Sequence, residues 1–218
     1  MIDLHTHSLF SDGALIPSEL VRRLEMMGYI ALAMTDHVDF SMVEFVVPRI
    51  IKVAEELNRS QPVTVVPGVE LTHIPPSQIK PMITMARDLG AALVVVHGET
   101  IAEPVAPGTN RAAIEAGADI LAHPGLIDPA DAALAAQNNV FLEISARAGH
   151  SLTNGHVAKT ALEKDARLLI NSDGHAPGDF MTREFAEKIV EGAGLERGGL
   201  DKLLANSRIL LQRVGYPL

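Results

Sequence analysis

Apolar residues in this chain gather into seven short runs, separated by longer stretches in which apolar positions recur every three or four residues. The runs are Ile2–His5, Ile30–Thr35, Val63–Glu70, Ala91–His97, Asp119–His123, Val140–Ile144 and Arg167–Asn171. Apolar runs of this length predict buried strands, and the intervening periodicity predicts amphipathic helices. Pro17 suits a first helical position, Leu20, Val21 and Leu24 share one face, and Gly28 terminates the helix. Pro48 is expected to open a second helix that turns Ile50, Ile51, Ala54 and Leu57 inward. Ser77 is expected to cap a third ending near Gly90, and Asp128 to cap one with Pro129 in its first turn. Asn154 is expected to cap a helix reaching about Lys164, and Asp179 or Thr182 to start one ending near Gly192. Leu200 to Val214 reads as one or two packed helices.

A strand followed by a helix, seven times over, implies a parallel α/β arrangement. An open doubly wound sheet and a closed barrel share that alternation, and the polar residues decide between them. Nearly every strand run finishes on a residue type that binds metal. The first ends His5-Thr6-His7, the second Asp36-His37, the third at Glu70, the fourth at His97 and the fifth at His123. The seventh is followed by Asp173-Gly174-His175. In an open sheet ligands gather at one switch point. Here they come from almost every strand in turn, and a barrel brings those carboxyl ends into one ring. The expectation is therefore a seven-stranded barrel. With 218 residues and no linker or repeat, it is one domain over residues 1–218.

Residues at i and i+2 of a strand face the same way, so His5 and His7 can reach one ion, as can Asp173 and His175. Neutral imidazoles with carboxylates suit Zn, Mn or Fe(II). Glu70, central among them, is placed to bridge two ions. The chain has no cysteine, which excludes thiolate ligands, a cysteine nucleophile and a disulfide framework. Its formal net charge of −9 disfavours broad binding to nucleic acid, although three divalent cations would cut it to about −3. The first residues, Met1-Ile2-Asp3-Leu4-His5, lack the basic and apolar regions of a signal peptide. The longest apolar run, Ala91 to Val96, is too short to span a bilayer. No membrane association and a cytoplasmic location are the default expectations.

Together these residues resemble the polymerase and histidinol phosphatase (PHP) family. The matching elements are Asp3-Leu4-His5-Thr6-His7-Ser8, Ser11-Asp12-Gly13, Thr35-Asp36-His37 and Pro67-Gly68-Val69-Glu70. His97, Ala122-His123-Pro124 and Ser172-Asp173-Gly174-His175 complete the set. The resemblance implies a distorted, TIM-like (βα)7 barrel and a trinuclear site, with two to three divalent ions expected in it. One ion would take His5, His7, Glu70 and Asp173. A second would share Glu70 and add His97 and His123. A third would take Asp12, His37 and His175.

Other residues carry two readings each. Asp36 either orients a ligand imidazole or serves as a turn residue. Glu143, on the same face as Phe141 and Ser145, either hydrogen-bonds a ligand histidine or pairs low in the barrel. Arg147 suits the oxygens of a phosphate through its planar fork, against a solvated-loop reading, and Arg111 is a weaker candidate of the same kind. His150 is either a substrate contact or a surface loop residue, and His73 and His156 read as structural or exposed. The expected function is hydrolysis of a small-molecule phosphomonoester by a hydroxide bound to the ions, with Asp36 and Arg147 as catalytic candidates. The rivals are a phosphodiesterase or exonuclease, then an amidohydrolase, then a metal-binding module without activity.

Overall fold

All seven apolar runs form parallel strands in the computed structural model, which describes residues 1–218. They are β1 (Ile2–Thr6), β2 (Ala31–Met34), β4 (Thr64–Leu71), β5 (Leu93–His97), β6 (Ile120–Ala122), β7 (Phe141–Ser145) and β8 (Leu168–Asn171). A two-residue strand between them, β3 (His37–Val38), was not foreseen. β4 is long enough to pair twice: its first half lies against β2, and Glu70 and Leu71 lie against His37 and Val38 of β3. The strand order is β1-β2-β4-β5-β6-β7-β8, each pair parallel, with β3 on β4.

Eight helices alternate with the strands: α1 (Pro17–Met26), α2 (Val43–Ser60), α3 (Pro76–Asp88), α4 (Thr109–Glu115), α5 (Pro129–Asn138), α6 (Asn154–Glu163), α7 (Arg183–Gly192) and α8 (Gly199–Arg213). Several helix starts agree with the sequence signals. Pro17 opens α1, and the Asp128 carboxylate accepts from Ala130 N at 2.7 Å. Thr182 caps α7 through Phe185 N, whereas Asp179 holds the preceding loop by accepting from His175 N and Ala176 N.

Three helix starts differ. α2 begins at Val43, and Pro48 lies within it. The Asp39 carbonyl accepts from Met42 N and Val43 N, so a turn organised by Asp39 starts the helix before the proline is reached. The missing Pro48 N–H costs one helical hydrogen bond, while Val43, Val46, Val47 and Ile50 bury a continuous face around it. In α3, Ser77 sits inside the first turn and Pro76 is the first helical residue. In α6, Asn154 is itself helical. Its amide grips the end of β7 instead, accepting from Ser145 N at 3.1 Å and donating to Ser145 O at 2.8 Å.

The strands curl into a nearly closed barrel in a single domain. The seam between β1 and β8 carries one backbone bridge, Thr6 to Gly174, and is otherwise stitched by side chains. Leu4 N donates to Asn171 Oδ1 at 2.8 Å, and Ser172 N donates to the Asp3 carboxylate at 3.2 Å. Inside the barrel Leu4, Ala33, Val66, Val95, Phe141 and Leu169 pack with Leu210 and Leu211 of α8. Arg213 at the end of α8 donates to Asn139 O and pairs with Asp119, residues that precede β7 and β6. α8 therefore plugs the amino-terminal end of the barrel. Full burial of Leu210 and of Leu211 is worth about 1.5–3 kcal/mol each. A larger core lies between the strands and the surrounding helices. The carboxyl ends of the strands stay open, and the polar residues gather there. No helix is long and apolar enough to cross a membrane.

Candidate metal centre

Each strand delivers its polar residues to the open end by a definable local device. The β1–β2 register shifts between Asp3 and Thr6, a bulge that lets Leu4 join the inner core while His5 also faces inward. Beyond β1 the chain doubles back so closely that a Cβ on Gly13 would lie 2.4 Å from His7 O, a space that glycine leaves free. His37 and Glu70 are register partners on β3 and β4. His97 ends β5. His123 and Asp173, just beyond β6 and β8, adopt left-handed backbone angles (φ 27° and 51°). Such strain concentrates where side chains must be aimed. Next to Asp173, a Cβ on Gly174 would come within 2.4 Å of the Phe180 ring.

The result is one contiguous cluster. Glu70 lies at its centre: Oε2 is 2.6 Å from His37 Nδ1, 3.4 Å from His5 Nε2 and 3.7 Å from His7 Nε2, while Oε1 is 3.7 Å from His123 Nε2. Asp173 lies 3.2 Å from His7 Nε2 and 3.7 Å from His123 Nε2. At the rim Asp12 Oδ1 sits 3.2 Å from His175 Nε2 and 3.5 Å from His37 Nε2. Eight of the nine ligand candidates predicted from the sequence therefore join one cluster; His97 meets it through His123, with ring centroids 4.5 Å apart, while its Nε2 faces Glu103 rather than Glu70. Five groupings have donor atoms within 4.8 Å of one another, and three of them consist only of these candidates: His5, His7 and Glu70; His5, His123 and Asp173; and His7, Asp12, His37 and His175.

The electrostatics suit cations. Burial disfavours charge on Glu70, but His5 and His37 outweigh it and hold its carboxyl well below the usual range. Burial pushes Asp173 well up, opposed by His5. Burial also opposes a charge on His5, yet Glu143, Glu70 and Asp173 together hold it well above an ordinary imidazole. His7 and His123 are driven well down by burial and by neighbouring imidazoles, which keeps them neutral as ligands must be. Asp12 is brought to about 2, against the effect of burial, by its bond to His175 and the proximity of His37.

Buried polar atoms test whether ions fit. His5 Nε2, both ring nitrogens of His7, Glu70 Oε1 and His123 Nδ1 are buried without a hydrogen-bond partner, and Glu70 Oε2 has only the proximity of His37 Nδ1, a nitrogen that also lies 2.6 Å from Thr72 Oγ1. Each such orphan costs roughly 1–3 kcal/mol. Of these, His5 Nε2, His7 Nε2 and the Glu70 carboxylate converge on a common point, the arrangement that a divalent cation satisfies. Above them opens a cavity of about 260 Å³ with no apolar lining residue.

The remaining candidates are sorted by their contacts. Asp36 does not orient an imidazole: its buried carboxylate accepts from the backbone and hydroxyl groups of Ser8 and Ser11 and so secures the loop after β1. The turn reading is the one that its hydrogen bonds match. Arg147 reaches the cavity, with Nη1 3.1 Å from Asp173 O and 2.7 Å from His175 Nδ1. Arg111 pairs with Glu115 and Asp131 on an outer helix face. His156 lies 2.9 Å from Ile127 O, away from the cavity.

Glu143 hydrogen-bonds His5 Nδ1 at 2.8 Å, which leaves His5 Nε2 facing Glu70. Two cavity residues carried no clear signal. His150 is buried, not a surface residue. Glu103, from the loop after β5, lies 2.9 Å from His97 Nε2 and 3.3 Å from His73 Nε2. No periodicity marks a loop carboxylate of this kind.

Comparison with known proteins adds three findings. A family model described as the PHP domain matches residues 3–204. An uncharacterized protein of Methanocaldococcus jannaschii is 48% identical over 215 residues, covering 97% of this chain and 99% of that one. Among solved structures, a histidinol phosphate phosphatase of Lactococcus lactis, in complex with zinc, L-histidinol and phosphate, superposes with a TM-score of 0.60. It is 16% identical and covers 89% of this chain and 94% of its own. A Xaa-Pro dipeptidase with methionine bound reaches a TM-score of 0.65 at 11% identity, over 98% of this chain and 74% of its own. At these identities the two structures share the fold with this chain.

Proposed function

The chain belongs to the PHP domain family, and from that premise we propose that residues 1–218 form one phosphoesterase domain that hydrolyses a small-molecule phosphomonoester with two to three divalent ions. Zinc, manganese and iron suit the donor set. The observation that carries the reading is the convergence of His5, His7 and Glu70 as buried, unpartnered donors, with His123 Nε2 beside them, beneath an open polar cavity. The Lactococcus lactis structure, with zinc and phosphate, supports the same chemistry.

When bound, the ions supply an activated water and positive charge at the phosphoryl oxygens. The protein's part is placement. Glu143 holds the His5 proton on Nδ1 and leaves Nε2 free as a donor. With His175 Nε2 acting as a ligand, its proton sits on Nδ1 and is donated to Asp173 O, 2.9 Å away. His175 Nδ1 then offers Arg147 Nη1 no acceptor, so that this guanidinium nitrogen keeps its bond to Asp173 O at 3.1 Å and turns its other N–H toward phosphoryl oxygens in the cavity. Asp36 acts at a distance by fixing the Ser8–Ser11 loop that carries Asp12 into the site. The negative chain favours a small ester over a polyanion, because nucleic-acid affinity draws on many basic contacts.

The test compares p-nitrophenyl phosphate, its bis-ester and a labelled single strand on one metal-loaded preparation. The monoester should turn over fastest, EDTA should abolish turnover, and manganese or zinc should restore it. Faster cleavage of the strand would establish the nuclease reading instead, and activity confined to amides or lactones an amidohydrolase.

A further inference from the structure

The imidazole of His150 is buried in the cavity wall and has no role in the site described so far. We propose that His150 is a protein ligand of the ion held by His97 and His123, giving that ion a face of three imidazoles. The inference rests on the metal-dependent reading above and adds a ligand to it.

Three features aim the ring. Gly149 adopts φ 89°, ψ −54°, a conformation that side chains resist, and its Cβ would meet Ala102 Cβ at 3.3 Å. The 3₁₀ turn His150–Thr153 that follows points His150 back into the barrel mouth, leaving it only 4% exposed. There the ring stacks on His123, with centroids 4.0 Å apart and planes 16° apart, and presents an edge to His97 at 5.8 Å. One donor atom from each of His97, His123 and His150 lies within 4.8 Å of the other two.

The hydrogen bonding leaves Nε2 available. His150 Nδ1 is 2.8 Å from Thr100 Oγ1, on a buried residue of the loop after β5. When Nδ1–H donates to that hydroxyl, which also accepts from Ala102 N at 3.3 Å, the neutral tautomer turns the Nε2 lone pair toward the cluster. The opposite tautomer would strand an Nε2–H, since the facing oxygens, Glu103 Oε1 and Asp173 Oδ2, stand 3.5 and 3.8 Å away. On the neighbouring ring His97 Nε2 now faces Glu103, a 40%-exposed loop carboxylate that an ion would displace or share. A hydroxyl-oriented imidazole with a free inner nitrogen, beside two other imidazoles, is the outer-shell pattern of a metal ligand. Three nitrogen donors with Glu70 favour zinc at this position over manganese.

Cobalt(II) titration of the metal-free full-length chain tests the assignment through equivalents bound, affinity and the visible absorption of bound cobalt. In His150→Ala one cobalt should bind at least about tenfold more weakly and its visible spectrum should change, while the remaining ions keep their affinity. His97→Ala, a predicted ligand of the same ion, gives the reference loss. Thr100→Val keeps every ligand and should weaken the same cobalt less. His150→Asn repeats the test if His150→Ala folds poorly, as judged by circular dichroism. Wild-type affinities and an unchanged spectrum in folded His150 variants would overturn this assignment alone. Absence of cobalt binding by the wild-type chain would overturn the metal reading, and this assignment with it.

Discussion

Replacing Asn171 by Ala should loosen the barrel at its seam. Asn171 lies fully buried at the end of β8, and its amide works in two directions. Oδ1 accepts from Leu4 N across the seam, and Nδ2 donates to Glu143 Oε2 at 3.0 Å. The substitution strands a buried backbone N–H, at roughly 1–3 kcal/mol, and removes a bond to a carboxylate, worth roughly 1.5–3 kcal/mol. Glu143 feels that loss sharply because its other oxygen is already unpartnered. The combined cost is about 2.5–6 kcal/mol, against a total stability of about 5–15 kcal/mol for a natural domain. For a chain of this length each kcal/mol moves Tm by about 2–4 °C, so a fall of roughly 5–24 °C is expected. Urea and thermal unfolding of the metal-free protein measure it. Asn138→Ala is the control, since Asn138 donates one bond to Ile114 O from a partly buried position and should cost less than about 1.5 kcal/mol. A loss in Asn171→Ala no larger than in the control would refute the claim that side chains close the seam.

Three further outcomes follow from the site. Glu143→Gln keeps the contacts to His5 and Asn171 but removes the charge, so affinity for the ion on His5 should fall about tenfold, and about a hundredfold in Glu143→Ala, by metal titration. Arg147→Ala should lower kcat/KM on phosphomonoesters by roughly 10–100-fold with metal content unchanged; unaltered kinetics would return Arg147 to the solvated-loop reading. Asp12→Ala should weaken one ion and leave the others, whereas Glu70→Ala should weaken two together; equal losses in both variants, by elemental analysis after dialysis, would contradict a bridging Glu70.

The strands and the ligand ring were legible because both rest on local periodicity. A four- to eight-residue apolar run is a strand wherever it docks, and a polar residue at its end marks the open mouth. Helix starts were less legible, because the deciding contact lay elsewhere. The Asp39 turn overrode the signal at Pro48, and the side chain of Asn154 was taken up by β7. Short β3 exists because β4 offers a free edge beyond β2, which no window around His37 reveals. His150 and Glu103 come from loops whose paths are fixed by contacts with other loops, so their convergence on His97 leaves no trace in spacing. Asp36 shows the converse: its position beside His37 suggested a role that its actual partners, Ser8 and Ser11, do not support.

The seam also places the ion cluster in time. His5 lies in the first strand and His7 just beyond it, and Asp173 emerges from a ribosome 166 residues after His7. Until that last strand is made and seated, the two halves of the nearest ligand grouping are on a growing chain and have no fixed distance between them. Chain entropy opposes bringing such remote segments together, and the cost is met only when the cooperative sheet forms. A nascent fragment therefore offers passing cations isolated imidazoles of low affinity. Metal capture becomes a late event, gated by completion of the fold. On the proposed ligand set the barrel would select its ions as a finished vessel, and ions bound there would in turn clasp the edge that the backbone alone leaves weakly joined.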